Sequence, residues 1–224
     1  MDHAALAAAL QSFAWPGQAW QDLAGPMAAH GRLVDLDAGQ WVQAEGDEDT
    51  GVFLVLAGGV QLFCHAPGDR DVMITQLGPG AALGQPARFG GGPRLLTVIC
   101  RDRTRLLVLS DRALARIGGE TPRIWEAVTH LLYRASRDLL QALAEALVLP
   151  PRGRLASRLL ALSRDLPEPR RLRTTQQALG ELVGLSRKSV NAYLSEFEAA
   201  GLVRRDYGEV AVLDPAGLGR LASR

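Results

Sequence analysis

The sequence predicts an α+β fold in which short β-strands come first, one long helix follows, and a small helical unit completes the chain. Three observations predict it. Between residues 32 and 109, short β-rich runs alternate with glycine- and proline-rich turns, which indicates a sandwich or barrel. Residues 120–149 carry one unbroken helical pattern. Beyond residue 150, two short helical patterns flank a glycine turn, and a β-rich pair follows them.

The composition is that of an ordinary globular protein. Its 224 residues, 47% hydrophobic and 22% charged, can bury substantial cores in one large domain or two small ones. No run approaches about 18 uncharged apolar residues, and no basic segment precedes the first alanines, so we expect neither a membrane span nor a secretory signal. Two cysteines are too few for a disulfide framework, which favours a reducing cytoplasm.

Charge is distributed unevenly along the chain. Residues 1–150 hold 12 arginines against 16 acidic residues, a net charge of −4. Residues 151–224 hold 13 basic residues against 8 acidic ones, a net charge of +5. This asymmetry suggests that only the C-terminal third meets a polyanion.

The N-terminal half divides into helical and β-rich segments. Residues 3–30 are alanine-rich and broken at Pro16-Gly17, which predicts two short helices. A further helix is expected to begin at Asp111 and to lead towards the long one. The predicted strands lie at 34–36, 41–42, 52–56, 60–63, 72–74, 96–99 and 106–109.

The long helical pattern has the seam of a two-stranded coiled coil. Pro122 suits its first turn, and Pro150-Pro151 ends it because proline lacks an amide hydrogen. A narrow apolar seam flanked by charge predicts self-association, and the alternative is a helix buried within its own domain. The expected dimer-interface residues, spaced three and four apart, are Trp125, Val128, Leu132, Ala135, Leu139, Ala142 and Ala146, with Leu149 completing the pattern.

The C-terminal pattern predicts a helix-turn-helix. Thr175 can cap a short helix over 176–183, Gly184 supplies the turn, and Ser186 caps a second helix over 187–200. Gly201 stops that helix, and a small hairpin after it predicts a wing. The alternative is a helical hairpin whose polar face is simply solvated.

The outward side chains of the second helix suit DNA. Arg187 can bond guanine twice and Asn191 can do the same for adenine, with Lys188 beside them. The basic residues of the wing are expected to touch phosphates. The candidate DNA-binding residues are Thr175, Gln176, Ser186, Arg187, Lys188, Ser189, Asn191, Arg204 and Arg205.

The order and spacing of five segments resemble one known family. These segments are 52–58, 77–84, Pro93-Arg94, 153–156 and 184–191, and the last closely resembles a recognition-helix signature. Along nearly its full length the chain is similar to the Crp/Fnr family of bacterial transcription regulators. The resemblance implies a homodimer that binds double-stranded DNA, with RNA polymerase as a further candidate partner. It implies a jelly-roll (β-roll) effector domain over 1–118, a dimerisation helix over 119–149 and a winged helix-turn-helix over 150–224.

Departures from the family pattern bear on the effector. Nucleotide-binding members carry Gly-Glu and an arginine followed by Ser or Thr, whereas this chain has Gly84-Gln85 and Arg94-Leu95. Ala192 replaces a second basic residue of the recognition helix. The resemblance therefore implies a small anionic or nucleotide effector other than cyclic AMP, cyclic di-GMP among them. The alternative is a ligand-independent module with a degenerate sensor domain, which either binds DNA constitutively or contacts another protein. The effector-site residues that it implies are Gly84, Gln85, Arg94, Leu95, Leu139 and Leu140.

Other chemistry finds little support in the sequence. Cys64-His65 could ligate haem or metal, but adjacent strand residues point to opposite faces, so we expect no metal site. The oxygen-sensing members' cysteine cluster is absent, and so are the His-x-His cluster of a cupin, a nucleophile elbow and a phosphate loop. We therefore expect that the protein is not an enzyme.

Overall fold

The computed structural model describes residues 2–13, 18–48, 51–84 and 90–223. The chain divides into two compact units, Met1–Ser136 and Arg137–Arg224, and the division falls inside the long helix. In the described part of the chain, no helix is both long enough and apolar enough to cross a membrane.

Two helices open the first unit, as the alanine-rich sequence predicts. Helix α1 covers His3–Gln11 and helix α2 covers Gln18–His30, while the predicted break at Pro16-Gly17 lies outside the described residues. Asp2 caps α1 by accepting a hydrogen bond from the Ala5 amide. Eight strands follow among the described residues of this unit: β1 Arg32–Leu36, β2 Trp41–Gln43, β3 Val52–Ala57, β4 Val60–Ala66, β5 Arg70–Leu77, β6 Ala82–Leu83, β7 Thr97–Cys100 and β8 Thr104–Leu109.

The eight strands form two antiparallel four-stranded sheets. Their strand orders are β1-β8-β3-β6 and β2-β7-β4-β5. One core lies between the sheets, where Val55 and Leu106 meet Val98 of the other sheet. The sandwich expected from short strands and glycine-rich turns is confirmed, and β6 is the one two-residue strand that the sequence did not reveal.

Strand β3 is apolar along its whole length because both of its faces are buried. Phe53 and Val55 face the core between the sheets, whereas Val52 and Leu54 face a second core built with the helices. Because successive strand residues point to opposite faces, a strand buried on both sides must be apolar throughout. A clean alternation of polar and apolar residues is therefore missing here.

The long helix begins later than its sequence pattern predicts. Helix α3 covers Asp111–Glu120 with Ser110 as its N-cap, and helix α4 covers Ile124–Val148. Between them Thr121 has φ −138° and ψ 83°, outside the helical region, because a residue before proline is pushed out of it. Pro122 therefore lies in the break and not in the first turn of α4, which corrects the predicted start near residue 120.

The second unit contains more regular structure than the sequence indicated. Helix α5 covers Pro151–Ser163, and Leu155 and Leu159 of its apolar face are fully buried. A three-stranded antiparallel sheet pairs Arg170–Arg173 with Glu209–Val212, and Glu209–Val212 with Val203–Asp206. The sequence did not predict the strand at Arg170–Arg173. The remaining elements are β9 Arg170–Arg173, α6 Gln176–Val183, α7 Arg187–Ala199, β10 Val203–Asp206, β11 Glu209–Val212 and the unpredicted α8 Pro215–Ala222.

Candidate functional site

Helices α6 and α7 form the predicted helix-turn-helix. Thr175 caps α6 by accepting a hydrogen bond from the Ala178 amide, and Gly184 ends it with φ +67°. The sequence suggested the need for Gly184 but not for Gly180. A Cβ on Gly180 would lie 2.5 Å from the carbonyl oxygen of Leu185, so the turn can pack against α6 only where no side chain intervenes.

Helix α7 has one buried face and one exposed face. Ser186 caps it through a 3.1 Å hydrogen bond from the Ser189 amide to the Ser186 hydroxyl. The inward residues are Val190, Leu194 and Phe197, all essentially inaccessible to solvent. The first two turns of α7 expose Arg187, Lys188 and Asn191.

The hairpin of β10 and β11 forms the wing. Its turn is Tyr207-Gly208, and the Tyr207 side chain is fully exposed. The Gly208 carbonyl accepts a 3.0 Å hydrogen bond from the Thr174 amide, immediately before the α6 cap. The tip of the wing is therefore fixed beside the N-terminus of α6.

The wing arginines contact protein acceptors. The Arg204 Nε donates to Asp206 Oδ2 at 3.4 Å. The Arg205 Nε donates to Glu198 Oε2 at 2.7 Å, and its Nη1 donates to the Ser195 hydroxyl at 2.8 Å. The sequence predicts phosphate contacts from both arginines, and that role stays a prediction.

The carboxylate that receives Arg205 is held ionised. Glu198 Oε1 accepts the Arg205 backbone amide at 2.8 Å, and Oε2 accepts the guanidinium. These hydrogen bonds, from the backbone first and then from the guanidinium, lower the pKa of the Glu198 carboxyl. The carboxyl therefore remains charged at neutral pH and continues to anchor Arg205.

Asn191 is joined to the same cluster. Its Oδ1 accepts a 3.0 Å hydrogen bond from Gln176 Nε2 and a 3.2 Å hydrogen bond from Arg205 Nη1. The sequence predicted Asn191, Gln176 and Arg205 as separate DNA-binding residues. It did not predict Ser195 and Glu198 as part of the site. The available signal was the spacing of four and three residues from Asn191 to Ser195 to Glu198, which places the three on one face of α7.

Arg94 of the first unit lies deep inside its domain. It is 2% exposed, and its guanidinium lies 5.2 Å from the centre of the Phe53 ring. Its Nη1 donates to the carbonyl oxygens of Gly51 at 3.1 Å and Gly84 at 3.2 Å. Gly84, with φ +89°, leaves room for this guanidinium, because a Cβ there would meet Nη1.

The other predicted effector residues have no such setting. Leu95 is exposed, as are Leu139 and Leu140 on α4. None of these three side chains has a hydrogen-bonding group. Gln85 lies outside the described residues.

The predicted dimer seam has one part packed within the first unit and another part exposed. Val128 is 7% exposed, and both it and Leu132 pack on the core of the first unit. Leu139 is exposed, and so are Leu143 and Leu147, which the predicted seam did not include. Of the remaining positions in that seam, Trp125, Ala135 and Ala146 are exposed and Ala142 is half-buried.

The candidate ligand pair Cys64-His65 lies on β4 among ordinary strand contacts. The His65 Nδ1 is 3.3 Å from Asp71 Oδ1, and Cys64 is a free, half-buried thiol. Over the described residues, no three His, Cys, Asp or Glu side chains are grouped so as to hold a metal ion.

The two halves of the chain match two family models. Residues 33–119 match the cyclic nucleotide-binding domain, and residues 153–221 match the Crp-like helix-turn-helix domain. A β-roll of the nucleotide-binding type followed by a helix-turn-helix defines a class of transcription regulators.

Full-length relatives agree. The chain is 30% identical over 195 residues to the CRP-like cAMP-activated global transcriptional regulator of Mycobacterium tuberculosis, covering 84% of this chain and 87% of that protein. It is 28% identical over 178 residues to the cyclic AMP receptor protein of Thermus thermophilus, covering 80% and 82%. The chain belongs to the Crp/Fnr family, and it is a transcription regulator with a helix-turn-helix DNA-binding domain. These relatives are transcription regulators and not enzymes.

Solved structures show the same fold. FixK2 from Bradyrhizobium japonicum has a TM-score of 0.74 at 16% identity, covering 85% of this chain and 96% of that one. The c-di-GMP responsive global regulator CLP of Xanthomonas campestris has a TM-score of 0.64 at 22% identity, covering 82% and 94%. The predicted fold class is therefore confirmed.

Proposed function

We propose that the protein is a homodimer that binds an inverted-repeat operator sequence-specifically and is modulated by a small ligand other than cyclic AMP. The observation that carries the DNA part is the first two turns of α7, where Arg187, Lys188 and Asn191 are exposed on a helix whose inward residues are fully buried. A helix so exposed at its N-terminal end suits the major groove. A two-fold dimer would read half-sites whose centres lie about one helical turn, roughly 34–36 Å, apart.

Arg187→Ala is expected to weaken operator binding by about 1–3 kcal/mol and to relax preference at one base pair per half-site. The physical reason is the loss of a side chain that can bond a guanine edge twice. Fluorescence anisotropy with a panel of single-base operator variants measures both effects.

The matched control is Arg220→Ala, which removes an exposed arginine from α8. Its effect on affinity should be small and alike for every operator. If Arg187→Ala also weakens all operators equally, Arg187 contacts the backbone and not a base.

The effector proposal rests on the chemistry of the substituted positions. Relatives that bind cyclic nucleotides hold the ribose with a glutamate and the cyclic phosphate with an arginine and an adjacent hydroxyl. Gln85 replaces the carboxylate with a neutral amide, and Leu95 removes the hydroxyl. The Arg94 guanidinium now donates to the carbonyl oxygens of Gly51 and Gly84. An anion bound at Arg94 would replace these carbonyl oxygens as the acceptor.

Cyclic AMP is therefore expected to bind about one and a half to three decades more weakly than it does to a complete cassette. The loss of a charge-assisted hydrogen bond costs about 1.5–3 kcal/mol and a neutral one about 0.5–1.5. Calorimetry at millimolar cyclic AMP, with operator affinity measured in parallel, tests this.

Micromolar affinity together with a clear gain in DNA affinity would contradict the proposal. The variant Leu95→Ser provides the matched gain of function, because it restores the hydroxyl beside Arg94. Operator binding that no anion or nucleotide alters would instead indicate a ligand-independent regulator.

The remaining parts of the proposal follow from the regulatory role. A regulator that binds an operator acts where the bacterial DNA is, so we place it in the cytoplasm. RNA polymerase is its proposed protein partner, and transcription in vitro from an operator-bearing template tests that contact.

A further inference from the structure

The side chain that the sequence assigns to adenine has its acceptor already engaged. Bidentate recognition of adenine needs Asn191 Oδ1 to accept from the base N6 amino group while Nδ2 donates to N7. In the structure Oδ1 accepts from Gln176 Nε2 at 3.0 Å and from Arg205 Nη1 at 3.2 Å. The acceptor therefore has two protein donors before DNA arrives.

Arg205 fixes which way the amide faces. An amide can in general be turned over without changing its shape, so its orientation follows from its partners. A guanidinium has only donors, so the Asn191 atom facing it must be the oxygen. The Nδ2 amino group is then the part of the exposed Asn191 amide that does not face Arg205.

Arg205 itself is firmly placed. Glu198 accepts from its backbone amide and from its guanidinium, and the Ser195 hydroxyl accepts from Nη1 at 2.8 Å. The Ser195 hydroxyl in turn donates to the backbone carbonyl oxygen of Asn191 at 2.9 Å. These contacts join the wing strand β10 to the exposed face of α7, and they make the orientation of Asn191 depend on Arg205.

We propose that Asn191 offers DNA a hydrogen-bond donor only, and that Arg205 and Gln176 are the positioning residues that make it so. The proposal rests on the proposed function. With Arg187 and Lys188 also limited to donating, this trio of exposed side chains presents donors alone. It therefore selects base edges that accept, and at the Asn191 position it reads N7 of either purine without distinguishing adenine from guanine.

The decisive experiment replaces single base atoms in an operator obtained by selection from random duplexes. At the position that depends on Asn191, 7-deazaadenine removes the N7 acceptor, and purine without the 6-amino group removes the N6 donor. The 7-deaza base is expected to weaken wild-type binding about 2- to 12-fold, and the loss of the amino group is expected to have no effect. Adenine and guanine should bind within about threefold of each other at that position, since one N7 contact serves both.

Asn191→Ala is the reference for both base analogues. In this variant the Asn191 contact is gone, so any remaining change in affinity comes from the effect of the analogue on the DNA duplex. Equal losses from the two analogues in the wild type, absent in Asn191→Ala, would show bidentate adenine recognition and overturn the inference. An Asn191→Ala protein that discriminates bases as the wild type does would also overturn it. Failure to select any duplex would instead contradict the proposed function.

The positioning role has its own readout. In Gln176→Ala/Arg205→Met both donors to Oδ1 are removed, so a preference for adenine over guanine of about fivefold or more should appear at that position. Arg204→Met is the matched control, since Arg204 pairs with Asp206 and has no contact with Asn191 in the described structure. A gain of adenine preference in the double variant alone supports positioning, and unchanged preference contradicts it. The base-analogue measurement uses the wild-type chain and does not depend on how this variant folds.

Discussion

Replacing both Leu139 and Leu143 by lysine is expected to convert the protein to a monomer and to abolish tight operator binding. Both leucines are exposed on α4, one at a predicted seam position and one a turn further along. In a dimer with α4 at its interface, each lysine would be buried without a partner, at a cost of several kcal/mol per unpaired ion. Light scattering measures the loss of mass, and circular dichroism checks that the helix persists.

Leu132 is a poor choice for this test although it belongs to the predicted seam. It packs on the core of its own unit, so a charge there would damage folding as well as association. Gln141→Lys is the matched control, because Gln141 lies on the opposite side of α4 and is exposed. A Leu139→Lys/Leu143→Lys protein that stays dimeric would show that α4 does not form the interface.

Phe197→Ala is expected to destabilise the second unit by about 3–5 kcal/mol and to remove DNA binding with it. The ring is fully buried, and the Arg152 guanidinium lies 5.9 Å from its centre. Its loss would leave a cavity under the recognition helix. Hydrogen exchange of peptides from residues 137–224, measured in the full chain, reports the loss of stability.

Two controls accompany the Phe197 measurement. All four tryptophans lie within residues 1–136, so tryptophan fluorescence reports the first unit, which should be unchanged. Tyr207→Ala removes an aromatic side chain that is fully exposed at the wing tip, and it should alter stability by no more than about 0.5 kcal/mol. Similar losses from both aromatic substitutions would show that burial is not what makes Phe197 important.

Local signals in the sequence were enough for most of the fold. The caps Thr175 and Ser186, the turn at Gly184 and the inward spacing of α7 each act over a few residues, and all are confirmed. Strand β9 escaped prediction because four residues with one apolar position carry no readable alternation. It becomes a strand only by pairing with β11 from distant sequence.

The sequence by itself determined the family, the two kinds of domain and the three outward side chains of the recognition helix, because these follow from short-range spacing and residue chemistry. The tertiary structure alone decided which way the Asn191 amide faces. Arg205 lies fourteen residues from Asn191 along the chain, and only the packing of the wing against α7 brings its donors to the amide oxygen. The direction in which a buried or paired polar group faces is set by its partners, and partners distant in sequence leave no local pattern to read.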